Sequence, residues 1–290
     1  MNGAGAADML GFIASVVTTI LSGCDGTIKD CGPPSVARKG GASSDRGPPE
    51  GKTMAKQRIT VCLQPCAPGE ALNRAIADAM APFDMNRQDD PPDGWDGEWD
   101  YWYIASGWEF AVRPGYEDDP RIVRDGEEED EPRPGDRCDG GPKALLDLDA
   151  ERVPVAEEAG RRWDAWQEFS AGYPAALQAH HFWARVRLDP QQRYSFEQAR
   201  AEYESQPLIR AVYADPVLRE RFGDDPVQLI TPDRDAYVAE QYADVLPTWA
   251  LLTLEGRWIE GGTHEYRAAF NAYLDELPDA TVLVRVLYHS

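Results

Sequence analysis

The segment that most constrains this chain lies near its C-terminus. Thr281 to Tyr288 reads TVLVRVLY, a nearly continuous apolar and β-branched run. Such a strand is of the kind buried on both faces, since a solvated face would bring a polar residue at every second position. It needs partners in a sheet, and Arg58 to Leu63 (RITVCL) is a second strand candidate, at the other end of the region that starts at Met54. Strands at both ends with helical periodicity between them predict an α+β fold. The expected architecture is one mixed or antiparallel sheet built from N- and C-terminal strands, split βαβ-like, with a mainly helical insertion over about 150–245 covering one face. A single domain over 54–290 is expected, preceded by a leader over 1–53 that is read as disordered.

Between the terminal strands the pattern is specific. Pro65 and Pro68 end the first strand, and Leu72, Ile76 and Met80 recur at helical spacing up to Pro82. Trp99 to Phe110 (WDYWYIASGWEF) is the most aromatic window and reads as one strand. Asp100, Trp102 and Ile104 would share one face, with Trp99, Tyr101 and Tyr103 on the other. Glu117 to Asp136 is charged and reads as a solvated loop. Val155 to Ser170 has Ala159, Trp163 and Trp166 at helical spacing. Ser195 with Gln198 forms a capping-box pattern, Leu208 to Phe222 reads as helix broken at Asp215-Pro216, and Thr231-Pro232 reads as N-cap and N1 of a helix to about Tyr242. Glu255-Gly256 suggests a two-residue hairpin turn. Thr263 caps a helix with Tyr266, Phe270, Tyr273, Leu274 and Leu277 on its apolar face, ended by Pro278.

Charge separates the leader from the rest. Residues 1–53 hold five basic and five acidic side chains, so the whole net charge of −22 falls on 54–290. A surface that negative repels phosphate backbones, so no direct nucleic acid binding is expected. Attraction of a basic protein partner is easier, and plain solubility is the bland alternative. In the leader, Met9 to Gly23 is apolar but too short and too rich in Ser and Thr for a membrane span. Leu21-Ser22-Gly23-Cys24 has the form of a lipobox, which would make Cys24 a lipid attachment site and the protein a membrane-anchored lipoprotein. Against that, no basic residue precedes the apolar stretch. A start at Met54, or an ordinary flexible tail, are the other readings, and no membrane association is expected unless Cys24 is lipidated. Cysteine is sparse and odd in number, and Cys62 and Cys66 are spaced for neither a zinc pair nor a disulfide framework.

Several stretches resemble a known family. They are Ala81-Pro82-Phe83-Asp84 with Asn86-Arg87, Asp100 to Ile104 with Gly107-Trp108, and Cys138-Asp139-Gly140-Gly141-Pro142-Lys143 running into Leu145 to Asp149. Arg161 to Trp166 and Leu252 to Trp258 extend the match. Together they resemble an actinobacterial family carried on phages, plasmids and integrating elements, over most of 54–290 and none of 1–53. Members often read Asp-Trp-Trp-x-Ile-Gly-Gly-x-Trp, where this chain has Tyr101 for the first Trp and Ala105-Ser106-Gly107 in place of the glycine pair. The resemblance implies a cytoplasmic accessory role in a mobile element. It brings no activity, cofactor or catalytic residue.

The residues themselves offer one binding candidate: Asp100 beside Trp102 and Trp108 could hold a cationic or planar ligand by charge and stacking. The competing reading makes both indoles core residues. Cys138 in a glycine-rich stretch has no base at a local spacing and reads as a structural turn. His180-His181 reads as a packed or surface pair, and Asn86 and Arg87 as loop hydrogen-bonding groups. No phosphate-loop, nucleophile-elbow or zinc-protease pattern occurs, and no cofactor, metal or catalytic residue is assigned. The functional expectation is a non-enzymatic accessory or interaction protein. Alternatives are an enzyme acting on a small molecule in a Trp-rich cleft and an acidic mimic of DNA.

Overall fold

The computed structural model describes residues 56–87, 97–105, 109–124, 135–188, 193–223, 226–231 and 233–289. The chain divides into Met1–Met54 and Ala55–Ser290, and every described residue belongs to the second unit. Cys24, the lipobox and the Met54 start lie outside the described residues.

Nine strands are described: β1 (Lys56–Leu63), β2 (Tyr101–Ile104), β3 (Phe110–Val112), β4 (Arg137–Cys138), β5 (Gly140–Pro142), β6 (Leu146–Asp147), β7 (Ala250–Leu252), β8 (Trp258–Glu260) and β9 (Val282–His289). The α-helices are α1 (Glu70–Met80), α2 (Asp149–Ser170), α3 (Ala179–Arg187), α4 (Phe196–Ser205), α5 (Pro207–Ala214), α6 (Pro216–Phe222), α7 (Arg234–Ala243) and α8 (His264–Glu276).

The two terminal strands do pair. β1 and β9 run antiparallel in register from Lys56↔His289 to Leu63↔Val282. β7 joins the other edge of β1 in parallel, and β8 pairs antiparallel with β7. The free edge of β9 is shared end to end by β2, opposite 286–289, and β5, opposite 282–284. The sheet is therefore mixed, with the order β2-β9-β1-β7-β8, and β4-β3-β6 form a second, smaller antiparallel sheet.

Alternation along β1 and β9 gives the main sheet two buried faces. The first carries Ile59, Val61, Leu63, Val282, Val284, Val286 and Tyr288, and α1 covers it with Leu72, Ile76 and Met80. The second carries Cys62, Leu251 and Leu283. It is covered by Tyr266, Phe270 and Leu274 of α8 and by Phe110, Val112 and Cys138 of the small sheet. Burial on both faces is what the TVLVRVLY run demands. The helices from α2 to α7 lie between β6 and β7 in sequence and hold cores of their own, one around Trp166, Leu208, Val212 and Phe222 and one around Phe182, Tyr203 and Ile209.

Several local expectations are corrected. The aromatic window is not one strand: β2 ends at Ile104, and β3 starts at Phe110 in the other sheet. Within β2 the alternation holds, with Trp102 and Ile104 against the first core and the Tyr101 and Tyr103 rings 6.0 Å apart. It fails at Trp99, which precedes the strand, is buried, and donates its indole N–H to the Met80 carbonyl at 3.0 Å. The helix expected from Val155 begins at Asp149 and accommodates Pro154. The hairpin turn has three residues rather than two. Thr253 N–H donates to the Arg257 carbonyl, and Gly256 adopts φ 75°, the left-handed geometry that closes such loops. Asp233, not Thr231, caps α7, its carboxylate accepting from Ala236 N–H at 3.1 Å. Part of the charged loop is core: Ile122 and Val123 are buried, and Arg124 donates to the Glu117 and Gly135 carbonyls. Glu127 to Glu131 lie outside the described residues. Finally, Cys138 ends β4 and Gly140 opens β5, so the expected turn is reduced to a bend at Asp139 between the two sheets. A Cβ on Gly140 would sit 2.4 Å from the Leu283 carbonyl oxygen, so the close β5–β9 approach needs glycine there. The capping box of Ser195 with Gln198, the break at Asp215 and the Thr263 cap are as expected.

Candidate functional site

The second face changes character along β1. Its inward residues run Cys62, Thr60, Arg58, from apolar to charged, and Thr60 stands directly opposite Arg285 of β9. Arg285 is 3% exposed, the one strong base inside the TVLVRVLY run. Its guanidinium lies 4.6 Å from the Phe110 ring centroid and 5.8 Å from that of Phe270. Nη2 donates to the Leu246 carbonyl at 2.6 Å, and Nη1 donates to Thr60 Oγ1. Thr60 Oγ1 is 2.9 Å from Thr248 Oγ1, which gives its own proton to the Ala250 carbonyl at 2.7 Å. The hydroxyls therefore align in one direction, Arg285 to Thr60 to Thr248 to Ala250, an arrangement in which each bond polarises the next.

Among the described residues Arg285 has no counter-ion. Among the described residues no carboxylate lies within ion-pair distance of it, and its Nε–H is buried without an acceptor. Burial pushes its ionisation down to about 10. Glu109 is the chief charge opposing that shift, and its carboxylate is bonded to Arg58 Nε at 2.8 Å. At neutral pH Arg285 remains a cation. A buried charge of this kind costs several kcal/mol, of order 3–5, unless something compensates it.

A cleft of about 450 Å³ reaches Arg285 between the Lys56 end of β1 and the segment Val245–Trp249 that leads into β7. Its charged lining is Lys56, Arg58, Arg137 and Arg285 against Glu109 and Glu151. That is a surplus of two positive charges in a chain whose net charge is −22. Arg137 pairs with Glu151, and Lys56 Nζ donates to the Tyr103 hydroxyl at 3.1 Å. A second cavity, about 620 Å³ and lined by Trp166, Leu208, Leu229 and Ile230 among others, lies in the helical segment, and its lining contains no carboxylate, lysine or arginine.

The residues singled out from sequence fall elsewhere. Asp100 Oδ1 is 2.6 Å from His289 Nδ1, and its N–H donates to the His289 carbonyl at 3.0 Å. Trp102 packs half-buried against the first core. Trp108 lies outside the described residues, so the three are not brought together among them. Cys138 is buried and its thiol is pushed up to about 11 by burial, and Cys62 likewise to about 12, so neither is a thiolate at neutral pH. The His180 and His181 rings lie 4.2 Å apart. Asn86 and Arg87 bond the loop, Arg87 Nη1 donating to the Pro82 carbonyl at 2.8 Å. Among the described residues no group of three or more His, Cys, Asp or Glu is placed to hold a metal, and no helix is long and apolar enough to cross a membrane. Periodicity alone does not single out Arg285, because the pattern of its strand is apolar. The signal is the exception itself: one arginine inside a run that must be buried on both faces.

No family model matches the chain, and comparison with curated proteins and with solved structures found no match.

Proposed function

We propose that the chain is a binding protein for a small anion, held in the cleft that reaches Arg285. One observation carries this reading: a buried guanidinium with an unaccepted Nε–H and no carboxylate partner among the described residues, reached by a cleft with a positive surplus. An anion there supplies the charge that the fold withholds. Arg58 and Arg137 at the mouth can turn from their glutamates toward it, and an arginine fork suits a carboxylate or phosphate ligand. The cleft volume falls within the range of about 300–1,000 Å³ usual for small-molecule sites. An accessory role in a mobile element, with a basic protein partner on the acidic surface, would be served by such a binder and requires no catalytic group.

The test is calorimetric titration of the full chain at pH 7 and low salt with inorganic phosphate, sulfate and citrate. At least one anion binds saturably, and Arg285→Met weakens it by more than about tenfold, the loss of one charge-assisted interaction. Circular dichroism of that variant guards against misfolding. Arg58→Ala at the mouth, where the side chain is half exposed, weakens binding by a smaller factor. A wild-type chain that takes up none of the three anions refutes the proposal.

A further inference from the structure

The walls of the same cleft bear on the chemistry of the anion, an inference that rests on the anion-binding reading of the site. We infer that the ligand is a phosphate monoester bearing an aromatic ring, of the size of a nucleoside monophosphate, with its phosphate toward Arg285 and its ring against Trp249.

Charge sets the head group. Four basic and two acidic side chains line the cleft, a surplus of two. A phosphate monoester carries a charge of about −1.5 to −2 at neutral pH and matches that surplus, whereas a single carboxylate leaves half of it unmatched. A polymer is disfavoured, because the surrounding chain is strongly negative and would repel every further phosphate.

Trp249 sets the ring. Its side chain is 50% exposed, and every other described tryptophan (Trp99, Trp102, Trp163, Trp166, Trp183 and Trp258) is buried or half-buried. Its backbone is held rigidly. The Trp249 carbonyl accepts from Gly261 N–H at 2.5 Å, and the preceding Thr248 carbonyl accepts from the Tyr266 hydroxyl at 3.0 Å. A Cβ at Gly261 would come within 2.6 Å of the Trp249 carbonyl oxygen, so glycine permits this contact. An indole fixed at its root, left uncovered and lining a cationic cleft is a stacking platform for a planar group. The floor and the platform belong to one cleft, which Thr248 also lines.

The experiment compares adenosine monophosphate, ribose phosphate, inorganic phosphate and adenosine on the full chain by calorimetry, with tryptophan fluorescence in parallel. Adenosine monophosphate should bind at least about tenfold tighter than ribose phosphate, the usual worth of one stacked base, and should quench fluorescence. Trp249→Ala should bring the two to the same affinity and leave inorganic phosphate unchanged, while Trp249→Phe restores most of the difference. Equal affinities in the wild type, or an unaltered preference in Trp249→Ala, overturn the ring assignment while the anion site stands. Adenosine binding as tightly as its monophosphate overturns the phosphate assignment. Failure of every phosphate to bind removes this assignment, and if sulfate and citrate fail as well the anion site goes with it.

Discussion

Among the described residues two arginines are buried to almost the same degree, and the fold treats them in opposite ways. Arg152, in the first turns of α2, is 2% exposed, and Arg285 is 3% exposed. Arg152 donates to both carboxylate oxygens of Asp275 on α8, at 3.0 and 3.2 Å, to Asn271 Oδ1 at 3.1 Å and to Asp149 at 3.0 Å. Burial pulls its ionisation down, but the bonds and charge of Asp275, with Tyr242 and Asp149, more than offset this, and the net shift is upward. Arg285 has a hydroxyl, a carbonyl and two aromatic faces around it, and its net shift is downward. The first is a structural clamp that fastens the helical segment to α8. The second is a charge with no carboxylate partner among the described residues, which is the physical reason to look for a ligand at one and not at the other.

The comparison breaks or holds most sharply on a pair of substitutions. Arg152→Met removes several charge-assisted hydrogen bonds and should cost about 2–3 kcal/mol in urea unfolding, with anion affinity unchanged in the folded fraction. Arg285→Met should leave unliganded stability within about 1 kcal/mol of the parent, because the apolar side chain removes the cost of the buried charge together with its bonds to Thr60 and Leu246. It should also abolish the rise in stability that a bound anion confers by mass action. If Arg285→Met proves the more destabilising of the two without any anion present, Arg285 is a second clamp and the contrast disappears.

Legibility from sequence follows the same divide. The terminal strands, their pairing and the helical insertion can be read because apolar periodicity reports burial, and burial dominates these elements. The Ser195 capping box and the Thr263 cap are legible because their partners are three residues away. Trp99 defeats the reading for the opposite reason: its hydrogen bond to Met80 is set by tertiary packing and overrides the local alternation. The cleft cannot be read at all. Lys56, Glu109, Arg137, Trp249 and Arg285 come from five separate stretches, and the register of β1 against β9, the pairing of β3 with β4 and the passage of Val245–Trp249 bring them to one place.

Glu109 sharpens the contrast at smaller amplitude. It is the nearest thing Arg285 has to a counter-ion, but its carboxylate is committed to Arg58. Glu109→Gln keeps the shape, frees Arg58 and raises the positive surplus of the cleft by one charge. Phosphate should then bind about fivefold tighter, somewhat under the tenfold that 1.4 kcal/mol would give, and unliganded stability should fall slightly. Titration calorimetry reads the first and urea melts the second. An unchanged affinity would mean that the Arg58–Glu109 pair has no bearing on the cleft.

A third arrangement, on the opposite face of the sheet, shows how the fold handles surplus negative charge. Glu98 follows Gly97 in a segment tied to the Phe83 carbonyl at 2.8 Å, and Glu260 ends β8. Partial burial, the charge of Glu260 and a hydrogen bond to it raise Glu98 to about 7. Tyr288, also raised by burial and by both carboxylates, donates to Gln57 Oε1 at 2.7 Å. A carboxylic acid can relieve such repulsion by taking a proton near neutrality, an option Arg285 does not have. The sign of the effect is fixed: with its folded pKa above the ordinary value of 4.5, Glu98 binds more protons in the native than in the unfolded state between about pH 4.5 and 7. Its stabilisation is complete below that window and is lost as pH rises through about 7. Solvent reaches the pair, so screening holds the effect to about 1 kcal/mol or less. In Glu260→Gln the repulsion is gone and the amide can donate to an ionised Glu98. Thermal melts between pH 5 and 8 should flatten relative to the parent, with the gain appearing at the alkaline end, while phosphate binding in the Arg285 cleft should not change. A pH profile that persists unaltered in Glu260→Gln would assign the dependence to groups other than this pair.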